Sequence, residues 1–84
     1  MTENDPFARP LPDLRPGRYR HFKGNEYELL FVARHSESGE AMVVYRALYG
    51  EGGVWVRPAA MWREEVTRGG VTQPRFVYVG EVSK

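Results

Sequence analysis

Four glycine-bearing turn signals divide the chain beyond residue 16: KGN at 23–25, SESG at 36–39, GEGG at 50–53 and RGG at 68–70. The runs between them, 26–35 and 40–49 above all, are short and rich in Val, Tyr and Phe, residues that suit a pleated surface better than a helix. Tight turns between such runs predict antiparallel strands and exclude a helical bundle. GRYRHF (17–22), EYELLFVARH (26–35), EAMVVYRALY (40–49) and VWVRP (54–58) read as successive strands, with Pro58 ending the last one or lying at a sheet edge. PAAMW (58–62) suits a single helical turn, and REEVTR (63–68) with QPRFVYVG (73–80) supplies further short strands.

The expected fold is all-β: a small SH3-like antiparallel barrel of five or six short strands with one 3-10 or helical turn near 58–62. An OB-fold is the alternative, although it usually takes more residues and a full helix between its middle strands. Residues 1–16 hold four of the six prolines and have no usable period, so they read as a flexible or extended leader before a domain at 17–82. Phe7 or Leu11 is the side chain expected to dock that leader.

At 84 residues the chain has room for one small domain, whose site residues must double as core. It has no cysteine, so a disulfide framework is excluded and a reducing cytoplasm fits best. No apolar stretch approaches the length of a membrane span. A formal net charge of +1 is too small to announce a dedicated nucleic-acid binder, but ten of the twelve cationic residues are Arg, the side chain suited to stacking and bidentate anion contacts.

Register makes the faces explicit. If Gly39 takes the left-handed position of a three-residue turn, residue 36 faces 40 and Arg34 faces Met42. Leu29, Phe31, Ala33, Ala41, Val43, Tyr45 and Ala47 then line the core side. Pairing Tyr49 with Val54 across GEGG sets Arg46 beside Arg57 and Leu48 beside Trp55, so the outer face collects Arg34, Arg46 and Arg57 around Met42, Leu48 and Trp55. Clustered like charges call for an anion. Glu28, Glu64 or Glu65 would supply it internally, and a phosphate or carboxylate ligand externally.

Catalytic chemistry finds little support. His35 and Ser36 are neighbours at a strand end and point to opposite faces, which is wrong for a nucleophile and its base. His21, His35 and Glu37 compose a conceivable two-histidine, one-carboxylate set, the basis of the minor enzyme reading. GEGG lacks the Lys and Ser or Thr of a phosphate-binding loop and lies between strands, so it reads as a hairpin turn. Tyr19, Arg20 and His21 with Trp55 and Arg57 suggest a stacking surface of the kind that single-stranded nucleic acid uses.

YRHFKGNEY (19–27), ARHSESGE (33–40), VVYRALYG (43–50) and WVRPAAMWREEV (55–66), in this order and spacing, resemble the bacterial family called domain of unknown function 1653. The resemblance implies a small SH3-type barrel, usually a stand-alone bacterial protein, and implies no catalytic residue or cofactor. Its pattern has positions matching His21, Lys23, Gly24, His35, Ser36, Tyr45, Arg46, Tyr49, Trp55, Arg57 and Pro58. Ser38 stands where the pattern often has Thr, and Trp62 where Phe or Leu is common.

The resulting expectation is a non-catalytic cytoplasmic module that binds an anionic or aromatic ligand, whether nucleic acid, peptide or metabolite, without cofactor or metal. The candidate residues are Arg34, Arg46, Arg57, Trp55, Tyr49, His21 and His35. The alternative is a structural or interaction domain that forms a homodimer through Leu30, Val32, Met42 and Val44.

Overall fold

A computed structural model describes residues 5–82, so the first four residues of the leader and the last two of the chain lie outside the described part. A 3-10 turn at Pro6–Ala8 precedes seven strands and one helical turn: β1 (Gly17–His21), β2 (Glu26–Arg34), β3 (Ala41–Ala47), β4 (Val54–Pro58), α1 (Ala59–Trp62), β5 (Glu65–Arg68), β6 (Val71–Pro74) and β7 (Phe76–Gly80). The chain is all-β. Five strands form an antiparallel sheet in the order β4-β3-β2-β1-β7, and β5 pairs with β6 in a separate hairpin.

There are seven strands instead of five or six because the run at 73–80 is broken at Arg75. That residue's N–H donates to the Glu64 carbonyl (2.8 Å) and its carbonyl accepts from Phe22 N–H (2.9 Å), so its backbone turns from β5 towards β1. One length of chain thus serves both sheets. Likewise β5 starts at Glu65, not at residue 63, since the Arg63 and Glu64 amides are spent closing α1 on the Ala59 and Met61 carbonyls. β4 and β7 are the outermost strands of the main sheet, and no ladder joins them among the described residues.

The hairpin registers differ from the sequence expectation, and the differences move side chains between faces. Gly39 does take a left-handed φ of +77°. The closing pair, however, is His35 with Glu40, leaving a four-residue loop: His35 N–H donates to the Glu40 carbonyl at 2.7 Å. His35 Nδ1 accepts from the Glu37 and Ser38 amides (3.1 and 3.2 Å), which stabilises the longer turn. Arg34 therefore faces Ala41, and Phe31 faces Val44. A bulge at Leu30 then restores the expected parity, with Leu29 opposite Tyr45 and Tyr27 opposite Ala47. Leu29, Val43, Tyr45 and Ala47 line the core as expected, whereas Phe31 turns outward at 56% exposure and Val32 takes its place.

At the next hairpin Ala47 N–H donates to the Gly53 carbonyl, while Leu48 N–H is taken by Glu26 of β2. Leu48 is thereby withheld from β4. Tyr45 pairs with Trp55 and Val43 with Arg57, a register three residues from that expected, and an odd shift exchanges faces.

The inner face of the sheet is covered by α1, whose buried Ala59 and Trp62 meet Leu29, Val43, Tyr19, Tyr45 and Phe76. The Trp62 indole stacks on Phe76 with 3.8 Å between centroids and 4° between planes, and Tyr19 meets it edge-on at 5.4 Å. Such pairs add about 0.5–1.5 kcal/mol each beyond their buried area. Leu14 docks the leader against this core, while Phe7 and Leu11 remain exposed. The leader is held further by Tyr19 Oη donating to the Arg15 carbonyl (2.7 Å) and by the Arg15 guanidinium over the Tyr78 ring.

Candidate ligand-binding face

β4 is an edge strand, so its inner-face side chains lie beside the core rather than beneath a neighbour. Trp55, opposite the buried Tyr45, is 62% exposed. Its indole nitrogen lies over Gly53, where a Cβ would stand 3.0 Å away, so that glycine leaves room for the ring. Two residues on, Arg57 extends its guanidinium over the rings of Phe76 and Tyr45, 5.5 and 5.9 Å from their centroids.

Three more rings continue this face. Tyr49, beyond the end of β3, brings its hydroxyl to 3.1 Å from that of Tyr27, and the two rings meet edge to face at 5.6 Å. Tyr27 also packs edge-on against Tyr45 and Phe76. Burial, reinforced by the Tyr49 hydroxyl, pushes the Tyr27 phenol up to about 12. His21, at the end of β1, contacts Phe76 at 4.9 Å and Phe22 at 4.5 Å. Burial, and then the positive charges of Arg57, Arg75 and Lys23, hold its imidazole below the usual histidine range. The Nδ1 atom accepts from the Lys23 amide at 3.2 Å, a role open only to the unprotonated nitrogen.

Of the seven sequence candidates, His21, Tyr49, Trp55 and Arg57 share this inner face. The other three are elsewhere. Arg46 is on the outer face, opposite Glu28 and beside Val54, so the expected cluster of Arg34, Arg46 and Arg57 does not form. Arg34 donates to the Gly39 and Arg9 carbonyls at the far end of β2, tying the hairpin tip to the leader. His35 serves as the turn acceptor described above and is separated from His21 by the length of β2, so those two histidines do not converge with Glu37 on a metal site. No cluster of three metal-ligating side chains occurs among the described residues.

Carboxylates neutralise other arginines. Glu26 receives Arg18 and Arg20 on the outer face (3.3 and 2.9 Å), and Glu64 receives Arg75 at 3.1 Å. Among the described residues no carboxylate stands within ion-pair reach of Arg57. These pairs are not the neutralisation expected from the sequence, since Glu26 and Glu64 take Arg18, Arg20 and Arg75 in place of the anticipated cluster and bypass Arg57. The sequence reading also missed Tyr27, Tyr45 and Phe76 as the floor under Arg57, because their alternation was visible while the register that aligns them was not.

The span from residue 17 to residue 78 matches a family model described as Protein of unknown function (DUF1653). The chain belongs to the DUF1653 family. The crystal structure of a DUF1653 protein from Bordetella bronchiseptica is similar to it, with a TM-score of 0.77 and 46% sequence identity over 86% of this chain and 95% of that chain. No curated protein matches. His21, Tyr49, Trp55, Arg57 and the rings beneath them all fall within the DUF1653 span. No helix among the described residues is long and apolar enough to cross a membrane.

Proposed function

We propose that this DUF1653 protein is a non-catalytic, cytoplasmic binding module whose inner face takes a ligand carrying both an aromatic ring and negative charge. The observation that carries this reading is Arg57, half-buried over two aromatic rings, without a carboxylate in reach among the described residues, beside an indole that is 62% exposed. Rings alone would equally suit a quaternary ammonium. Arg57, Lys23 and Arg75 decide against it, since the field that opposes a proton on His21 also opposes a cationic ligand. We read the fold as an opened SH3-like barrel, supported by the chain bent at Arg75 and by the bulges in β7, at Val79, and in β2, at Leu30, that coil the sheet; ligand binding beside an edge strand is in keeping with that class of fold.

Adenosine monophosphate and phosphotyrosine test the proposal as probes, because each joins a ring to an anion. In 15N–1H spectra both should shift amides near residues 21, 49, 55 and 57, and Arg57→Ala should remove the effect while leaving the melting transition in place. Choline perturbing the same amides more strongly than either anion would sink the reading.

A second reading is favoured by the outer face, where exposed Phe31 and Val56 flank half-buried Val44 in one apolar row running to the β4 edge. It is a homodimer interface, in which Phe31 replaces the expected Val32. Light scattering at tens of micromolar separates the two readings, since Phe31→Glu would convert a dimer to a monomer without touching the inner face.

A further inference from the structure

A second ring with its own cations lies next to the proposed site. Phe22 has the Arg68 guanidinium 5.6 Å from its centroid, and Lys23 Nζ and the Arg75 guanidinium each at 5.9 Å. Arg75 is engaged by Glu64, but no carboxylate is in ion-pair reach of Lys23 or Arg68 among the described residues. His21 joins the two groups, in contact with Phe22 on one side and Phe76 on the other. Arg68 is brought here by the β5–β6 hairpin, whose Gly69-Gly70 tip has open space around it. Rings and cations therefore alternate across the surface: Trp55, Arg57, then Phe22 with Lys23 and Arg68.

A small ring-bearing anion occupies one ring–cation group and leaves the other idle. A polymer that repeats a ring and an anion in every unit occupies both. From this we infer that the ligand is a single strand of nucleic acid, its bases stacked on Trp55 and Phe22 and its phosphates held by Arg57, Lys23 and Arg68. The inference rests on the binding-module reading above. A duplex fits poorly, because its base faces are already stacked on each other and offer nothing to exposed rings. A phosphorylated peptide bears no ring at most of its units, so it would fill only one of the two groups.

The test is fluorescence anisotropy with a labelled 12-residue oligouridylate and the matching oligodeoxythymidylate, which distinguishes RNA from DNA within the class. Both strands should bind more tightly than a mononucleotide, with a log–log salt slope of about −2 for three phosphate contacts. Trp55→Ala and Phe22→Ala should each cost roughly 5- to 100-fold in affinity. Arg68→Ala, on an exposed hairpin, should flatten the salt slope by about 0.7 and guards against a folding defect in Phe22→Ala. Arg46→Ala, on the opposite face, should change nothing. If adenosine monophosphate still shifts residues near Trp55 and Arg57 but oligonucleotides bind no tighter, or Arg68→Ala has no effect, the single-strand inference falls and the module reading stands. Equal binding of duplex or polyaspartate overturns the inference as well. If neither mononucleotide nor oligonucleotide binds, both fail.

Discussion

Gly17 has a φ of +140°, and a Cβ there would stand 2.8 Å from Tyr78 Cε1 and 2.9 Å from the Gly80 carbonyl oxygen. The ring could shift, but the backbone oxygen of the paired strand cannot. Gly17→Ala should therefore cost about 1–3 kcal/mol, read as a lower urea midpoint, and an unchanged midpoint would refute the packing described here. Trp62 offers a complementary test. Its indole is 3% exposed, yet Nε1 finds no hydrogen-bond partner among the described residues, so its value lies in the stack on Phe76. Trp62→Ala should cost about 3–5 kcal/mol and Trp62→Phe less than half of that, since Phe keeps a ring in the stack and removes a buried donor. The glycine at position 17 was legible as a strand start, but not as a close approach of β7, because nothing local announces a pairing with residues 76–80.

At the scale of elements, the β1–β2 turn ties stability to pH through His21. Its imidazole is held below the ordinary 6.5 by burial and by Arg57, Arg75 and Lys23. The unfolded chain therefore binds the proton more readily than the folded one. Stability is complete above about pH 6.5 and declines as pH falls through the lowered folded value. Urea midpoints taken between pH 7.5 and 5.5 should fall for the wild type and fall less for His21→Asn, whose side-chain oxygen can accept the same Lys23 amide at any of these pH values. Parallel curves would remove His21 as the cause. Elements are also where the sequence was most readable. Glycine turns and β-branched runs located β1 to β4 to within a residue or two, and PAAMW placed α1. Face assignment failed where turn geometry differed: the His35-capped loop turned Phe31 outward until the bulge at Leu30 restored the parity, and the diversion of Leu48 N–H to Glu26 moved β4 so that Arg46 and Arg57 lie on opposite faces. Those events depend on side-chain caps and neighbouring strands, which alternation alone does not encode.

The whole molecule is a plate of 42 × 36 × 19 Å with a radius of gyration of 14.2 Å, against about 12 Å for a compact chain of this length. Among the described residues only one face of the main sheet is covered, and part of that cover is the leader. Leu14 packs on the core cluster, so Leu14→Ala should lower the melting temperature by about 4–10 °C, whereas Leu11→Ala, on an exposed side chain, should shift it by less than about 3 °C. Differential scanning calorimetry compares the two, and equal losses would show that the leader docks differently. The thinness of the plate has a further result for the two indoles. Trp62 lies sealed against Phe76, and Trp55 stands open to water at the sheet edge. Their emission should separate accordingly, with a blue component that survives until the fold is lost and a red component accessible to iodide. One cuvette can thus follow occupancy of the edge through Trp55 while Trp62 reports, at a different wavelength, that the protein around it is still native.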